Sequence, residues 1–154
     1  MEIERKFLVK NSSWKTDILN SEEIIQFYLT GRDHSPTLRL RTKGDKGYIT
    51  LKYPSQSETI LMREEYEYEI PVADILAQMS EATGSIIKKT RHNVKGPDGH
   101  IWEVDEFKSP MSNLILAEIE YTDEKMEVSL PDWLGDEVTM DPSYSNLQLS
   151  FHRL

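Results

Sequence analysis

Four pairs of carboxylates recur at a two-residue spacing, Glu2/Glu4, Glu65/Glu67, Glu103/Asp105 and Glu118/Glu120, and two pairs of cationic side chains share it, Arg39/Arg41 and Lys89/Arg91. On a strand, residues i and i+2 lie on one face about 6.6 Å apart. Two carboxylates so placed can flank one hydrated divalent ion or bridge neighbouring ions, while guanidinium and ammonium groups grip phosphate oxygens. A triphosphate calls for both sets, because it carries several negative charges and metal and phosphate meet along its chain. Octahedral Mg²⁺ keeps part of its water shell, which supplies a candidate nucleophile. The paired charges thus point to metal-assisted polyphosphate chemistry, provided that the strands bring them together.

Most of the chain alternates polar with apolar side chains, the period of a strand. Glu2, Glu4 and Lys6 oppose Ile3, Phe7 and Val9, with Arg5 the exception on the apolar side, expected to lie outside. Gln26, Tyr28 and Thr30 oppose Ile25, Phe27 and Leu29; Arg39 and Arg41 oppose Leu38 and Leu40; Tyr48, Thr50 and Lys52 oppose Ile49 and Leu51. Glu65, Glu67 and Glu69 then oppose Tyr66, Tyr68 and Ile70, and Lys89 and Arg91 mark the next strand. After the turn signal Gly96-Pro97-Asp98-Gly99, Glu103 and Asp105 oppose Trp102 and Val104, and Glu118 and Glu120 oppose Ala117, Ile119 and Tyr121. About eight strands result, antiparallel because several connections are short.

A solvated sheet surface alternates too. Such surfaces mix Lys, Glu, Thr, Ser and Gln freely, whereas here several acid pairs and basic pairs occupy different strands. Closing about eight strands into a barrel gathers the charged faces in a narrow polar tunnel, with helices covering the apolar exterior. Val72, Ile75, Leu76, Met79 and Ala82 keep helical spacing between Pro71 and Gly84. Asp141 and Pro142 open a second helix with Tyr144, Leu147, Phe151 and Leu154 on one stripe, and Trp14 and Ile18 fit a shorter third.

Against 27 Asp and Glu the chain has 18 Lys and Arg, a net charge of −9 that disfavours non-specific binding to nucleic acid or an anionic membrane. A polyanionic ligand must therefore meet a local basic patch. The absence of cysteine excludes a disulfide framework, thiolate catalysis and a Cys-based zinc site, and fits a reducing cytoplasm. The opening Met-Glu-Ile-Glu-Arg-Lys lacks the pattern of a signal peptide, and no window approaches the roughly 18 apolar residues of a membrane span. A soluble cytoplasmic protein is expected, read as one domain over residues 1–154 because no repeat, low-complexity segment or linker interrupts it. His34, His92, His100 and His152 lack ligand spacing, and Trp14, Trp102 and Trp133 are expected in packing roles rather than as a base-stacking platform.

Eight motifs in order, Glu2-Ile3-Glu4-Arg5-Lys6, Gln26-Phe27-Tyr28-Leu29, Leu38-Arg39-Leu40-Arg41, Thr50-Leu51-Lys52, Glu65-Tyr66-Glu67, Lys89-Thr90-Arg91, Glu103-Val104-Asp105 and Glu118-Ile119-Glu120, are followed by Tyr144-Ser145-Asn146. Over essentially the whole chain they resemble the CYTH domain proteins, also called triphosphate tunnel metalloenzymes, whose signature is an N-terminal Glu-x-Glu-x-Lys. Phe27 and Leu147-Gln148 depart from the family's small residue before the tyrosine and its Ala-rich helix after the Asn.

The resemblance implies a mainly β (α+β) fold, an eight-stranded antiparallel β-barrel tunnel with a polar charged lumen and helices packed outside. It further implies Glu2, Glu4, Glu118 and Glu120 as ligands of Mg²⁺ or Mn²⁺, and Lys6, Arg39, Arg41, Lys52, Lys89 and Arg91 as the phosphate grip. Glu65, Glu67, Glu103 and Asp105 match acidic tunnel positions without an assigned role. Glu4, Lys6 and Tyr28 are the expected catalytic residues, the Tyr28 hydroxyl as a hydrogen-bond partner of Lys6 or of substrate. The activity so implied is metal-dependent hydrolysis of inorganic tripolyphosphate or a small organic triphosphate. Two alternatives stand beside it: a class IV adenylyl cyclase that converts ATP to cyclic AMP and pyrophosphate, and a module that binds polyphosphate or nucleotide without turnover. The motif residues include no evident adenine reader, so tripolyphosphate is expected to be preferred over ATP.

Overall fold

The computed structural model describes residues 1–151. Its strands are β1 (Glu2–Val9), β2 (Ile18–Tyr28), β3 (Thr37–Lys43), β4 (Lys46–Lys52), β5 (Leu61–Arg63), β6 (Glu65–Ile70), β7 (Ile87–Lys95), β8 (Ile101–Ser109), β9 (Ile115–Tyr121) and β10 (Leu134–Glu137). Nine run in the order β10-β1-β9-β8-β7-β2-β3-β4-β6, all neighbours antiparallel, and β5 pairs with β1. Only Glu64 separates β5 from β6, so residues 61–70 bend from β1 to β4 and nearly close the sheet into a barrel. With that bent strand counted once, eight staves ring the lumen, and β10 extends the free edge of β1 past the end of β5.

Every run of alternating residues named above forms a strand. The two that periodicity missed, β5 and β10, have three and four residues, too few to display a period. β2 begins at Ile18 and not near Ile25, because its polar stretch 20–23 is held by the β7 ladder and by side-chain bonds from Thr90 Oγ1 to Glu23 and between Ser21 Oγ and His92 Nδ1. Trp14 sits in a 3-10 turn, Ser13–Asp17, and Ile18 belongs to β2 rather than to a helix.

The expected helices are shorter than their apolar stripes. α1 (Val72–Leu76) is followed by a separate 3-10 turn, Met79–Glu81, and Ala82 leaves helical geometry as Thr83 donates its backbone N–H to the Tyr28 carbonyl. Asp141 caps only a 3-10 turn, Pro142–Tyr144. Ser145 is extended and restarts the chain as the cap of α2 (Asn146–Ser150), accepting from Gln148 N–H, so one expected helix is two. Leu154 of its stripe and His152 lie outside the described residues. Among the described residues no helix is long and apolar enough to cross a membrane.

Apolar side chains pack mainly on the outer face of the barrel. Phe7, Val94, Trp102, Val104, Ala117 and Ile119 lie under Trp14, Trp133 and Leu134, which places all three tryptophans in a core. Phe27 and Leu40 lie under Ile75 of α1. Gly47 permits that contact, since a Cβ there would come within 2.6 Å of Ile75 Cδ1. At one end the inward-facing positions turn apolar: Ile87, Phe107 and Leu116 meet Leu149 of α2, with Leu8 packed beside them. α1 therefore covers the outside as expected, whereas α2 docks on this apolar end and brings its first residues to the lumen.

Candidate active site

The charged faces meet in a cavity of about 640 Å³, within the roughly 300–1,000 Å³ of small-molecule sites. Lys6, Arg32, Arg39, Arg41, Lys43, Lys52, Arg63 and Arg91 line it, as do Glu2, Glu4, Asp33, Glu65, Glu67, Glu103, Glu118 and Glu120. These cations and anions balance in number although the chain carries −9, so positive charge is concentrated here. Strand register does the gathering. It opposes Glu4 to Glu120 and Lys6 to Glu118, Tyr28 to Arg39, Thr50 to Glu67, Lys52 to Glu65, Arg91 to Asp105, and Glu103 to Glu118.

On β1 and β9 the carboxylates are short of positive charge. Burial, then repulsion from Glu118 and Glu2, pushes the Glu4 carboxyl up to about 7. The charges of Lys52 and Lys6 offset only part of this, and Arg63 Nη2 donates to Glu4 Oε1 at 3.2 Å. Burial and a hydrogen bond shared with Glu65 raise Glu2. Its Oε1 is buried without a hydrogen-bond partner among the described residues, with Lys52 Nζ at 3.4 Å and Arg63 Nε at 3.7 Å. Burial and the charges of Glu2 and Glu103 raise Glu120. Glu118 alone is satisfied: burial works to raise its carboxyl, but Lys6, at 3.3 Å, together with Arg91 and Lys89 holds it low. Burial likewise works against the Lys6 ammonium, but Glu118 and Glu4 keep it charged.

β3 has the opposite imbalance. Arg41 Nη2 donates to Glu67 Oε1 at 3.0 Å, and Arg39 comes no nearer to Glu65 than 4.0 Å. The Nε atoms of both arginines are buried without a partner among the described residues. Burial and the neighbouring Arg39 and Arg91 lower the Arg41 guanidinium to about 10. One part of the lumen thus lacks a cation and another lacks an anion.

The third cluster is complete in itself. Arg91 donates to both oxygens of Asp105 at 2.8 and 2.9 Å and to Glu103 Oε2 at 3.1 Å. Lys89 Nζ pairs with Asp105 Oδ2 at 2.6 Å and donates to Asn146 Oδ1 at 3.0 Å. Burial works to raise Asp105, but Arg91 and Lys89 hold it far below the usual carboxylate range. Lys89 is fully enclosed, its ammonium 5.2 Å from the centre of the Phe107 ring, and its burial lowers it to about 8.

A family model described as CYTH domain matches residues 1–147. The chain belongs to the CYTH domain family. It is 40% identical over 154 residues to an inorganic triphosphatase of Acetivibrio thermocellus, covering 96% of this chain and 92% of that protein. It is 38% identical over 151 residues to an inorganic triphosphatase of Nitrosomonas europaea, covering 97% and 96%. A crystal structure of an inorganic triphosphatase superimposes with a TM-score of 0.74 at 35% identity, over 99% of this chain and 96% of that one. A Hippeastrum protein named as an adenylyl cyclase with a dominant triphosphatase activity shares the fold alone, with a TM-score of 0.58 at 20% identity over 80% of each chain.

Of the site residues expected for a CYTH domain from sequence, Glu2, Glu4, Lys6, Tyr28, Arg39, Arg41, Lys52, Glu65, Glu67, Arg91, Glu103, Glu118 and Glu120 line the cavity. Lys89 and Asp105 stand behind its surface, because Asp105, Asn146 and Phe107 enclose the lysine. Tyr28 faces the cavity, but Lys6 Nζ is engaged by Glu118 and by the Tyr144 carbonyl, at 3.1 Å, instead of the tyrosine. Arg5 points away and is held by Glu137 at 2.6 and 2.9 Å. Sequence reasoning missed Arg63, although the period of Glu65, Glu67 and Glu69 runs back through it. It also missed Arg32, Asp33 and His34, which come from an irregular segment with no period to read.

The CYTH carboxylates suit a divalent cation. Among the described residues no three His, Asp or Glu side chains already converge on one point. Even so, the orphaned Glu2 oxygen and the raised Glu4 and Glu120 all register a missing positive charge, and their all-oxygen donor set suits a hard divalent cation.

Proposed function

We propose that this protein hydrolyses inorganic triphosphate in its charged lumen, with Mg²⁺ or Mn²⁺ held by Glu2, Glu4, Glu118 and Glu120. The observation that carries this reading is the double imbalance of the cavity, unmatched carboxylates on β1 and β9 and unmatched guanidinium groups on β3. A polyanion alone would satisfy the second and aggravate the first, whereas a metal–polyphosphate complex satisfies both. The identity to the two inorganic triphosphatases favours the same substrate class.

A bound divalent ion supplies charge neutralisation along the phosphate chain and acidifies a water molecule. The chain's own residues do the rest. Arg39, Arg41, Lys52 and Arg91 bind and align the phosphates, which is most of what phosphoryl transfer needs from a protein. Lys6, kept protonated by Glu118 and fixed by the Tyr144 carbonyl, offers its remaining proton to an oxygen that gains charge as the anhydride breaks. Tyr28 offers its hydroxyl to substrate beside Arg39. Lys89 acts indirectly, fixing Asp105 and through it the Arg91 guanidinium. Phosphate release from tripolyphosphate, ATP, thiamine triphosphate and pyrophosphate, with Mg²⁺ and with Mn²⁺, tests the reading when cyclic AMP is measured alongside. Tripolyphosphate should be the best substrate. Cyclic AMP as the main product from ATP, with negligible release from tripolyphosphate, would replace the triphosphatase by a cyclase.

A further inference from the structure

β5 pairs with β1 so that Arg63 stands directly across from Glu2. Its guanidinium enters the lumen, with Nη2 3.2 Å from Glu4 Oε1 and Nε 3.7 Å from Glu2 Oε1. Both atoms of the longer contact, Arg63 Nε and Glu2 Oε1, are buried without a hydrogen-bond partner among the described residues. The arginine thus spans two carboxylates while hydrogen-bonding only one. The neighbouring cations are divided: Lys6 pairs with Glu118, and Lys52 is shared between Glu2, at 3.4 Å, and Glu65, at 3.9 Å.

We propose that Arg63 is a built-in counter-ion of the Glu2–Glu4 pair, which competes with the divalent cation for these carboxylates and transfers to Glu65 or to polyphosphate when the cation binds. The inference rests on the triphosphatase reading and adds to it a residue that couples the two ligands. Arg63 and a dication compete for Glu4, because two cations held at one carboxylate repel each other. The guanidinium is free to leave because it gives up a single hydrogen bond. It also has somewhere to go: Glu65 lies two residues on, about 6.6 Å along the same face, and its own cations, Lys52 and Arg39, stand off at 3.9 and 4.0 Å. The cation alone leaves Arg63 only Glu65, which Lys52 and Arg39 already attend, whereas polyphosphate gives the displaced guanidinium a partner of its own. Each ligand therefore strengthens the binding of the other, as linkage requires.

Mn²⁺ titration of the full chain without polyphosphate, followed by the electron paramagnetic resonance of free Mn²⁺, tests this without reference to turnover. Arg63→Met and Arg63→Gln should each bind Mn²⁺ about tenfold more tightly than the wild type, a coupling of ordinary size. Arg63→Lys keeps the charge and should stay within about threefold, as should Arg39→Met, which removes a lumen cation that touches neither Glu2 nor Glu4. Either neutral variant suffices if the other fails to fold by circular dichroism. Unchanged or weaker Mn²⁺ binding in the folded neutral variants overturns the proposal, as does equal tightening in Arg39→Met, which would reduce the effect to the general field of the lumen. Parallel phosphate release by the wild type separates the two claims. Release without tightening in the variants removes only the role of Arg63, whereas neither release nor Mn²⁺ binding removes the triphosphatase reading with it.

Discussion

Around Asp105 every strong charge has a partner, whereas around Glu4 the carboxylates outnumber the cations that reach them. Both clusters are buried, both lie on the inner face of one barrel, and both use the same residue types at the same spacing. They differ in closure. Asp105 is enclosed by Lys89 and Arg91, with Asn146 and Glu103 taking the remaining donors, and such a unit holds β7 and β8 together and aims Arg91. Glu2, Glu4 and Glu120 are left with pending charge, which is what a site for a cation requires before the cation arrives. Buried acid–base alternation alone thus does not mark the reactive part of a lumen; on the proposed reading the part left unneutralised does.

Neutralising one member of each cluster should separate them most sharply. Glu4→Gln keeps the shape of the side chain and removes a charged oxygen, so tripolyphosphate hydrolysis should fall by orders of magnitude while the circular dichroism spectrum persists; near-normal turnover at saturating Mg²⁺ would break the comparison. Asp105→Asn should act on stability, because it leaves Lys89 and Arg91 buried without their shared anion. Losing one partner of such a pair costs about 3–5 kcal/mol, which lowers the melting temperature by roughly 6–20 °C in a domain of this size.

The two clusters should also respond to pH in opposite directions. The Glu4 carboxyl, about 7 in the folded protein against an ordinary 4.5, keeps a proton that the unfolded chain has already released. Its contribution to stability is fully present below about pH 4.5 and is lost as pH rises towards 7, on the order of 3 kcal/mol in the metal-free protein. Asp105 is depressed instead, so its contribution is present above its unfolded value of 3.8 and is lost as pH falls. Melts of metal-free wild type and Glu4→Gln between pH 5 and 7.5 check the first window, and the variant should lose less stability across it. Parallel curves would show that Glu4 does not carry the strain assigned to it.

The smallest effect belongs to a charge on the other side of the wall. Arg5 stands between Glu4 and Lys6 in sequence, yet its ion pair with Glu137 is about one-third exposed. Arg5→Ala should change urea-unfolding stability by about 0–1 kcal/mol and leave turnover at the wild-type level.

How far these regions could be read from sequence follows from the length scale of the signal. Strand alternation spans several residues, so every long stave was legible, and so were its inward charges apart from Lys43 at the end of β3, down to the odd outward Arg5. Whether an inward charge reaches the cavity was not. Lys89 and Arg91 have the same face and spacing, and only the docking of α2, with Asn146 at its start and Leu149 behind, encloses the first and leaves the second open. Arg63 was missed for the complementary reason, since a three-residue strand has no period of its own. The helices came out too long because an apolar stripe records what must be covered and not whether the backbone stays helical: Ser145, which interrupts one, keeps the stripe intact while turning extended.

The central claim, that the pending negative charge of β1 and β9 and the pending positive charge of β3 form one site, is tested most directly by melting the protein in four conditions at fixed ionic strength: no addition, Ca²⁺ as a non-turnover metal, tripolyphosphate, and both. A ligand at about 100 times its dissociation constant adds roughly 2.7 kcal/mol, or about 5–11 °C here. The pair should reach that shift while each component alone gives less, because each satisfies one sign of charge and aggravates the other. Equal shifts for the separate components and for the pair would mean that metal and phosphate do not meet in this lumen.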